Sequence, residues 1–190
     1  MGTISHFEER IEQENFSSVK LQDLEYEQCT FKGCNFSETA FSRVAFIECQ
    51  FVDCNFSMAK LNDTALRDVR FVQCKLMGVV FDHCHSLLFR VRFDQSILDY
   101  CSFSGLKMKQ TPFTGCSMVE VQFVESDLTG SLFVGCDLLR AQFQQVILEK
   151  VDFTTARNFI IDPNQNRMKK ATFSLAGLPG LLQSYGIVVE

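Results

Sequence analysis

The chain contains no apolar run of about 18 residues, the minimum for a membrane-spanning helix, so no transmembrane segment and no membrane partner are expected. No secretory signal is legible at the N-terminus, which makes a cytoplasmic protein the expectation. Cations are in deficit: 18 Lys and Arg against 23 Asp and Glu leave a net charge of −5 and a pI near 5.3. Affinity for free nucleic acid depends on cations that neutralise phosphates, so direct nucleic-acid binding is not expected. A partner surface that normally receives an anion suits this balance better. Histidine is scarce too, with three in 190 residues. Serines such as Ser126 and Ser131 have no paired histidine, and no nucleophile–base set is legible. The expectation is a non-enzymatic protein that needs no cofactor. At 190 residues, one domain with a core of ordinary size is the natural prior.

What the sequence has in abundance is a period of five. Phe or another bulky apolar residue stands at Phe31, Phe36, Phe41, Phe46, Phe51, Phe56, Leu61, Leu66, Phe71, Leu76 and Phe81. A second phase runs from Phe93 through Leu98, Phe103, Met108, Phe113, Met118, Phe123, Leu128, Phe133, Leu138, Phe143 and Leu148 to Phe153. Counted from Phe16 to Phe81 and from Leu88 to Phe153 there are 28 such centres, every one apolar or aromatic. Five matches neither the 3.6 of a helix nor the 2 of a flat strand. Two residues before the centre, 25 of 28 positions are Ala, Cys, Ser, Thr or Val, and the other three positions are mostly polar. Two residues of five therefore face inward and three face solvent.

That small slot accounts for the cysteines. Cys29, Cys34, Cys49, Cys54, Cys74, Cys101, Cys116 and Cys136 each lie two residues before a centre, and Cys84 keeps the first-phase spacing. Val44, Thr64, Val91 and Ala141 occupy the same slot elsewhere. Free Cys packs as a small hydrophobe, nine is an odd number, and the cytosol keeps thiols reduced. Structural packing is favoured over disulfide or metal chemistry.

The units Cys34-Asn35-Phe36-Ser37, Cys54-Asn55-Phe56-Ser57, Ser126-Asp127-Leu128-Thr129-Gly130 and Cys136-Asp137-Leu138 resemble those of the pentapeptide repeat family. The resemblance covers roughly residues 16–157. It implies an all-β fold, a right-handed quadrilateral parallel β-helix in which four pentapeptides make one square coil. Residues twenty apart then share a face in adjacent coils, so Phe31, Phe51 and Phe71 form one ladder and Cys34, Cys54 and Cys74 another. Stability comes from stacking on neighbours, since no unit buries its own apolar face. At about 4.8 Å per coil, seven coils span about 34 Å.

Three places depart from the repeat. From Phe81 to Leu88 is seven residues, which places two extra residues in a bulge at Asp82-His83-Cys84-His85-Ser86 and exposes Leu87 and Phe89 on either side of Leu88. His83, Cys84 and His85 are residue types that bind zinc, but their spacing matches no structural zinc pattern. At the N-terminus, residues 1–15 read as a cap: Ile4, Phe7 and Ile11 have helical spacing, with Ser5 as N-cap and Glu8 and Glu9 in the first turn. Residues 158–190 read as a C-terminal cap and dimerisation segment. Leu175, Leu178, Leu182 and Tyr185 follow one another at helical spacing, and Ile187-Val188-Val189 reads as a strand. So much apolar surface beyond the rod calls for burial. A homodimer through Leu178, Leu181, Leu182, Tyr185, Ile187 and Val188 is favoured, with folding back as a cap the alternative.

The stretch from Ile160-Ile161-Asp162-Pro163 through Phe173-Ser174 and Leu181-Leu182 to Gly186-Ile187-Val188 resembles the ending of one bacterial subgroup of this family. That subgroup comprises the Qnr-type quinolone-resistance, albicidin-resistance and microcin-immunity proteins. The resemblance implies a dimeric rod that mimics duplex DNA and protects DNA gyrase or topoisomerase IV. The partner surface expected here is Glu48, Asp68, Leu87, Phe89, Asp99, Glu120 and Glu125. These carboxylates are interleaved with Arg67, Arg90, Arg92, Lys107 and Lys109, and only a short bulge stands where Qnr-type proteins carry a larger projecting loop. The alternative is a scaffolding protein of the same repeat with an unrelated partner.

Overall fold

A computed structural model describes residues 4–187. Most of its strands are three or four residues long, because a five-residue unit must turn a corner before it can extend; two, of eight residues each, run through a left-handed corner. They are β1 (Ile4–Phe7), β2 (Arg10–Glu12), β3 (Lys20–Glu27), β4 (Thr30–Lys32), β5 (Ala40–Ile47), β6 (Gln50–Val52), β7 (Ala65–Arg67), β8 (Val69–Val72), β9 (Val91–Asp94), β10 (Pro112–Thr114) and β11 (Leu132–Val134). One parallel sheet stacks β1, β3, β5 and β7; a second stacks β2, β4, β6, β8, β9, β10 and β11. A third face is closed by single bridges that run from Asn15 through Asn35, Asn55, Lys75, Ile97, Ser117 and Asp137 to Arg157. A fourth runs from Ala40 through Lys60, Val80, Ser102 and Gln122 to Gln142. Four faces and about seven turns make the quadrilateral parallel β-helix that the resemblance to the pentapeptide repeat family implies.

The register is twenty residues per turn, as in Phe31↔Phe51↔Phe71 and Phe93↔Phe113↔Phe133. Across the phase break it is twenty-two, with Phe71 opposite Phe93. At the corners, the second residue after a centre adopts a left-handed conformation: Glu48 and Asp68 at φ 53°, Glu120 at 56°, Glu125 at 58°. This costs a non-glycine residue roughly 1–2 kcal/mol. The compensation is that the corner N–H then reaches the next turn, as Glu48 N does to Arg67 O (2.8 Å) and Glu120 N to Leu139 O (2.9 Å).

The centres fill the interior. Phe31, Phe36, Phe41, Phe46, Phe51, Phe56, Phe71, Phe81, Phe93, Phe103, Phe113, Phe123, Phe133, Phe143 and Phe153 are all buried. Rings one turn apart stack face to face, and rings on neighbouring faces meet edge on. Phe51 stacks on Phe31 at 4.8 Å and Phe71 at 5.2 Å, and meets Phe46 at 5.1 Å and Phe56 at 4.9 Å edge on. Both are favourable quadrupole geometries. The small slot has a second task. Cys54 Sγ donates to Phe31 O, Cys74 Sγ to Phe51 O, Thr39 Oγ1 to Phe16 O (2.7 Å) and Ser131 Oγ to Met108 O (2.9 Å), each to a carbonyl 23 residues earlier. Cys, Ser and Thr interchange there because each is short and carries a donor.

Three expectations need correction. Residues 4–12 are strands, not a helical plug: Ile4 pairs with Leu24, and Ile11 with Phe31. The helical spacing of Ile4, Phe7 and Ile11 loses to the ladder, because Ile11 already stands twenty residues before Phe31. The β-helix therefore begins before residue 16, and Phe7 is 57% exposed in its first described strand. It also outlasts residue 157, with Asp152 bridging Thr172 and Phe173 stacked on Phe153 at 5.2 Å.

The two extra residues enter after Ser86, not at 82–86. His85 N still bonds Thr64 O, in the older register, and Val69 N bonds Arg90 O (3.0 Å) in the new one. Leu88, counted as a centre from its spacing, turns the corner at φ 61° and is 66% exposed. Phe89, expected outside, is only 8% exposed and meets Phe81 edge on. The larger ring goes inward because it removes more apolar area from water.

The C-terminal segment lies back across the end of the rod. A 3₁₀ turn (Leu175–Gly177), the short α1 (Pro179–Leu182) and a second 3₁₀ turn (Gln183–Tyr185) follow Phe173. Ile161 N bonds Gly180 O at 3.0 Å, and Leu181 packs against the core. Gly180 sits where a Cβ would come within 2.2 Å of Phe159 O. Ile187 has no regular structure, and Val188 and Val189 lie outside the described residues.

Candidate functional surface

Every interior position is used for packing, so whatever this molecule recognises must be read by the outward three residues of each five. Of the seven residues expected to meet a partner, the fold brings some together and disperses others. Glu48 and Asp68 stand one turn apart on one edge, next to the projecting Leu87, which is 71% exposed. Glu48 accepts from Gln28 Nε2 (3.0 Å), and Asp68 pairs with Arg90 (3.2 Å). Asp99 and Glu120 lie on another edge. Asp99 is committed to the next coil, accepting from Ser117 Oγ (2.6 Å) and Val119 N (2.9 Å), and Glu120 pairs with Arg140 (2.8 Å). Glu125 is exposed on a third edge, and Phe89 is in the core. These residues do not form one acidic face.

The acidic field lies elsewhere. Residues 1–30 carry seven carboxylates and two cations, and residues 31–190 carry sixteen of each. The entire net charge of −5 therefore belongs to the first turn and a half of the rod. Glu8, Glu9, Glu12 and Glu14 are all exposed there, and Glu25 and Glu27 are half-buried on β3. Asp23 is tied to Arg43 through two bonds, 2.6 and 2.9 Å, and that guanidinium holds its carboxyl below the usual carboxylate range. Summing charge along the chain in windows of one turn would have found this asymmetry from the sequence.

The bulge residues do not converge on a metal. Cys84 points inward and donates to Leu61 O, whereas His83 and His85 are exposed. Among the described residues no group of His, Cys, Asp or Glu is arranged to hold a metal ion, and no helix is long and apolar enough to cross a membrane. The residues expected to form a dimer divide: Leu181 and Leu182 are half-buried under the C-terminal turn, while Leu178, Tyr185 and Ile187 are exposed and Val188 lies outside the described residues. Leu175, also exposed, adds to the apolar surface at this end.

Residues 24–86 match the family described as pentapeptide repeat region, and residues 80–143 match that described as SV2A/B/C luminal domain. No curated protein matches the chain. Among solved structures, two trypsin-treated variants of QnrB1, a plasmid-mediated fluoroquinolone resistance protein, superpose along the whole rod. One is 17% identical with a TM-score of 0.75, covering 99% of this chain and 98% of the other. The second is 16% identical with a TM-score of 0.76 and covers 99% of both chains. At such identities the likeness speaks for the fold.

Proposed function

We propose that this chain, a Qnr-like pentapeptide repeat protein in its repeat and its β-helical fold, is a non-enzymatic binding protein that acts as a rigid anionic rod. Its partner on this reading is the cationic DNA-receiving surface of a type II topoisomerase, DNA gyrase or topoisomerase IV. Occupation of that surface protects the enzyme from a drug or toxin that acts there. The observation that carries the reading is the placement of the whole net charge on the first turn and a half of a rod with the end-to-end fold of a fluoroquinolone resistance protein. A cationic groove attracts such an end over roughly a Debye length, about 8 Å at physiological salt. Contact is thus led by Glu8, Glu9, Glu12 and Glu14, with Glu48 and Glu125 further along.

Two copies joined through Leu178, Leu182, Tyr185 and Ile187 would present an acidic end on each side of a two-fold axis. Leu182→Asp is expected to convert the dimer to a monomer in size-exclusion chromatography with light scattering. An unchanged profile refutes the joint.

Gyrase supercoiling with purified protein, with and without ciprofloxacin or albicidin, tests the reading. Dose-dependent inhibition or protection is expected, and the quadruple replacement of Glu8, Glu9, Glu12 and Glu14 by Gln should abolish it without lowering the melting temperature. Absence of any effect at micromolar protein sinks it. The balanced charge of residues 31–190 favours a second reading, a scaffold for an unrelated protein, which that negative result would leave standing.

A further inference from the structure

The phase break builds a groove whose chemistry is opposite to that of the acidic end. It lies between turns, encloses about 760 Å³, and is lined by Ile47, Glu48, Arg67, Asp68, Leu88, Phe89, Arg90, Lys107 and Lys109. A second hollow of about 310 Å³ shares Phe89, Arg90 and Lys109 with it, adds Arg92, and has no carboxylate in its wall. Five cations from three successive turns thus converge on an otherwise anionic rod.

Two of the five are committed: Arg90 pairs with Asp68 (3.2 Å), and Lys109 with Asp127 (3.2 Å). Arg67, Arg92 and Lys107 have no ion-pair partner among the described residues. Arg67 is half-buried, and its Nε is buried without a hydrogen-bond partner. A buried donor left unpaired on a charged group is costly, and among the described residues no carboxylate holds the rest of this guanidinium, which leaves it to a charge-assisted bond with a carboxylate supplied from outside. Beside these cations, the displaced corner raises Leu87 and Leu88 as an apolar lip.

We propose that this groove docks a short acidic peptide segment of a partner protein, with carboxylates on Arg67, Arg92 and Lys107 and an apolar side chain against Leu88. The composition of the wall selects a peptide over a nucleic acid. Glu48 and Asp68 interrupt any continuous phosphate track, and a sugar–phosphate backbone makes no use of an exposed leucine lip. On the far side of β7, Thr64 O accepts from His85 N and Leu66 O from Arg90 N, so those ladder carbonyls are taken and recognition runs through side chains. The groove begins one turn beyond the acidic end, where Ile47 pairs with Glu27, and it shares Glu48 with the surface proposed above; its docking cations Arg67, Arg92 and Lys107 lie two or more turns from residues 1–30 and take no part in that reading.

Fluorescence anisotropy with the full chain tests this. The probe is a labelled peptide in which glutamates flank a leucine, run beside its glutamine-substituted twin and a single-stranded oligothymidylate of like length. The acidic peptide should bind. Its affinity should fall about tenfold between about 0.03 M and about 0.3 M salt, as the screening length contracts about threefold. The twin and the oligothymidylate should not bind. Arg92→Glu combined with Lys107→Glu should weaken the acidic peptide about tenfold or more. Both residues are exposed, so the melting temperature should stay in place. Leu88→Ser should weaken it as well, whereas Lys75→Glu, on a different face, should not. No binding of the acidic peptide, equal binding of the twin, competition by oligothymidylate, or an equal loss from Lys75→Glu would each overturn the assignment.

Discussion

Raising the pH should unfold this rod through its cysteines, and the size of the effect can be worked from their burial. Cys49, Cys84 and Cys101 are buried in the small slot on the inner wall. Burial pushes the Cys49 thiol up to about 12, and burial likewise drives the thiols of Cys84 and Cys101 strongly upward. In the unfolded chain the same thiols ionise near pH 8.5. Because the folded values are raised, the contribution to stability is complete below about pH 8.5 and is lost as pH rises above it, where the unfolded state binds fewer protons. At pH 10 an unfolded thiol is almost wholly thiolate, which favours unfolding by about 2 kcal/mol per group, or about 6 kcal/mol for three. That is on the order of the whole stability of an ordinary domain.

The control is supplied by the ladders themselves. Val69 lies one turn from Cys49, Val79 and Val121 lie one turn either side of Cys101, and Thr64 precedes Cys84. A triple variant with valine at positions 49, 84 and 101 keeps the packing and removes the titration of these three thiols, while the other six cysteines titrate in both proteins. Denaturant midpoints from pH 7 to pH 10 should fall steeply for the native chain and much less for the variant. The tyrosines and lysines titrate equally in both and cancel in the difference. Parallel curves for the two proteins would refute the reasoning.

Phe51→Ala should cost about 4 kcal/mol, because the ring is fully buried among four others, and Phe51→Asp should prevent folding; chemical denaturation measures the first and circular dichroism the second. Asp53→Ala, at an exposed left-handed corner, should shift stability by less than about 1 kcal/mol. Gly180→Ala should lift the C-terminal turn from Phe159, since its Cβ has 2.2 Å to the carbonyl oxygen. Hydrogen exchange should quicken over residues 175–187 while the rod melts as before. Thr154, through its hydroxyl and its N–H (2.8 Å), holds the Asp152 carboxyl below the usual range. Its contribution is present above about pH 4 and lost as pH falls through the lowered value, so Asp152→Asn should flatten the acid limb of the melting profile.

The interior was legible in the sequence because it is periodic. Spacing, with four units to a coil as the resemblance implies, places Phe31, Phe51 and Phe71 in one column and Cys34, Cys54 and Cys74 in another, and the fold keeps them there. Spacing failed where the period is interrupted. Counting back five from Phe93 selects Leu88, but the chain has two residues to spare between His85 and Arg90, and counting cannot say which side chain turns inward. Competition for buried area decides that, in favour of Phe89. At the N-terminus a helical spacing and a five-residue phase coexist on Ile11, and only the pairing of β2 with β4 resolves them. The left-handed corners left a faint trace in glycines such as Gly33 and Gly130, but most corner residues are not glycine.

By itself the sequence determined the core, because a buried position accepts few residue types and repeats them. It also determined the net charge, and even its concentration in the first thirty residues. Only the tertiary structure decided which outward side chains meet. Glu48, Asp68, Glu120 and Glu125 look equivalent along the chain, yet the square coil sets Glu48 and Asp68 on one edge, Glu120 on a second and Glu125 on a third. Arg67, Arg92 and Lys107 are separated in sequence but gather beside Leu88, because a turn of twenty residues and a slip of two set what lies next to what.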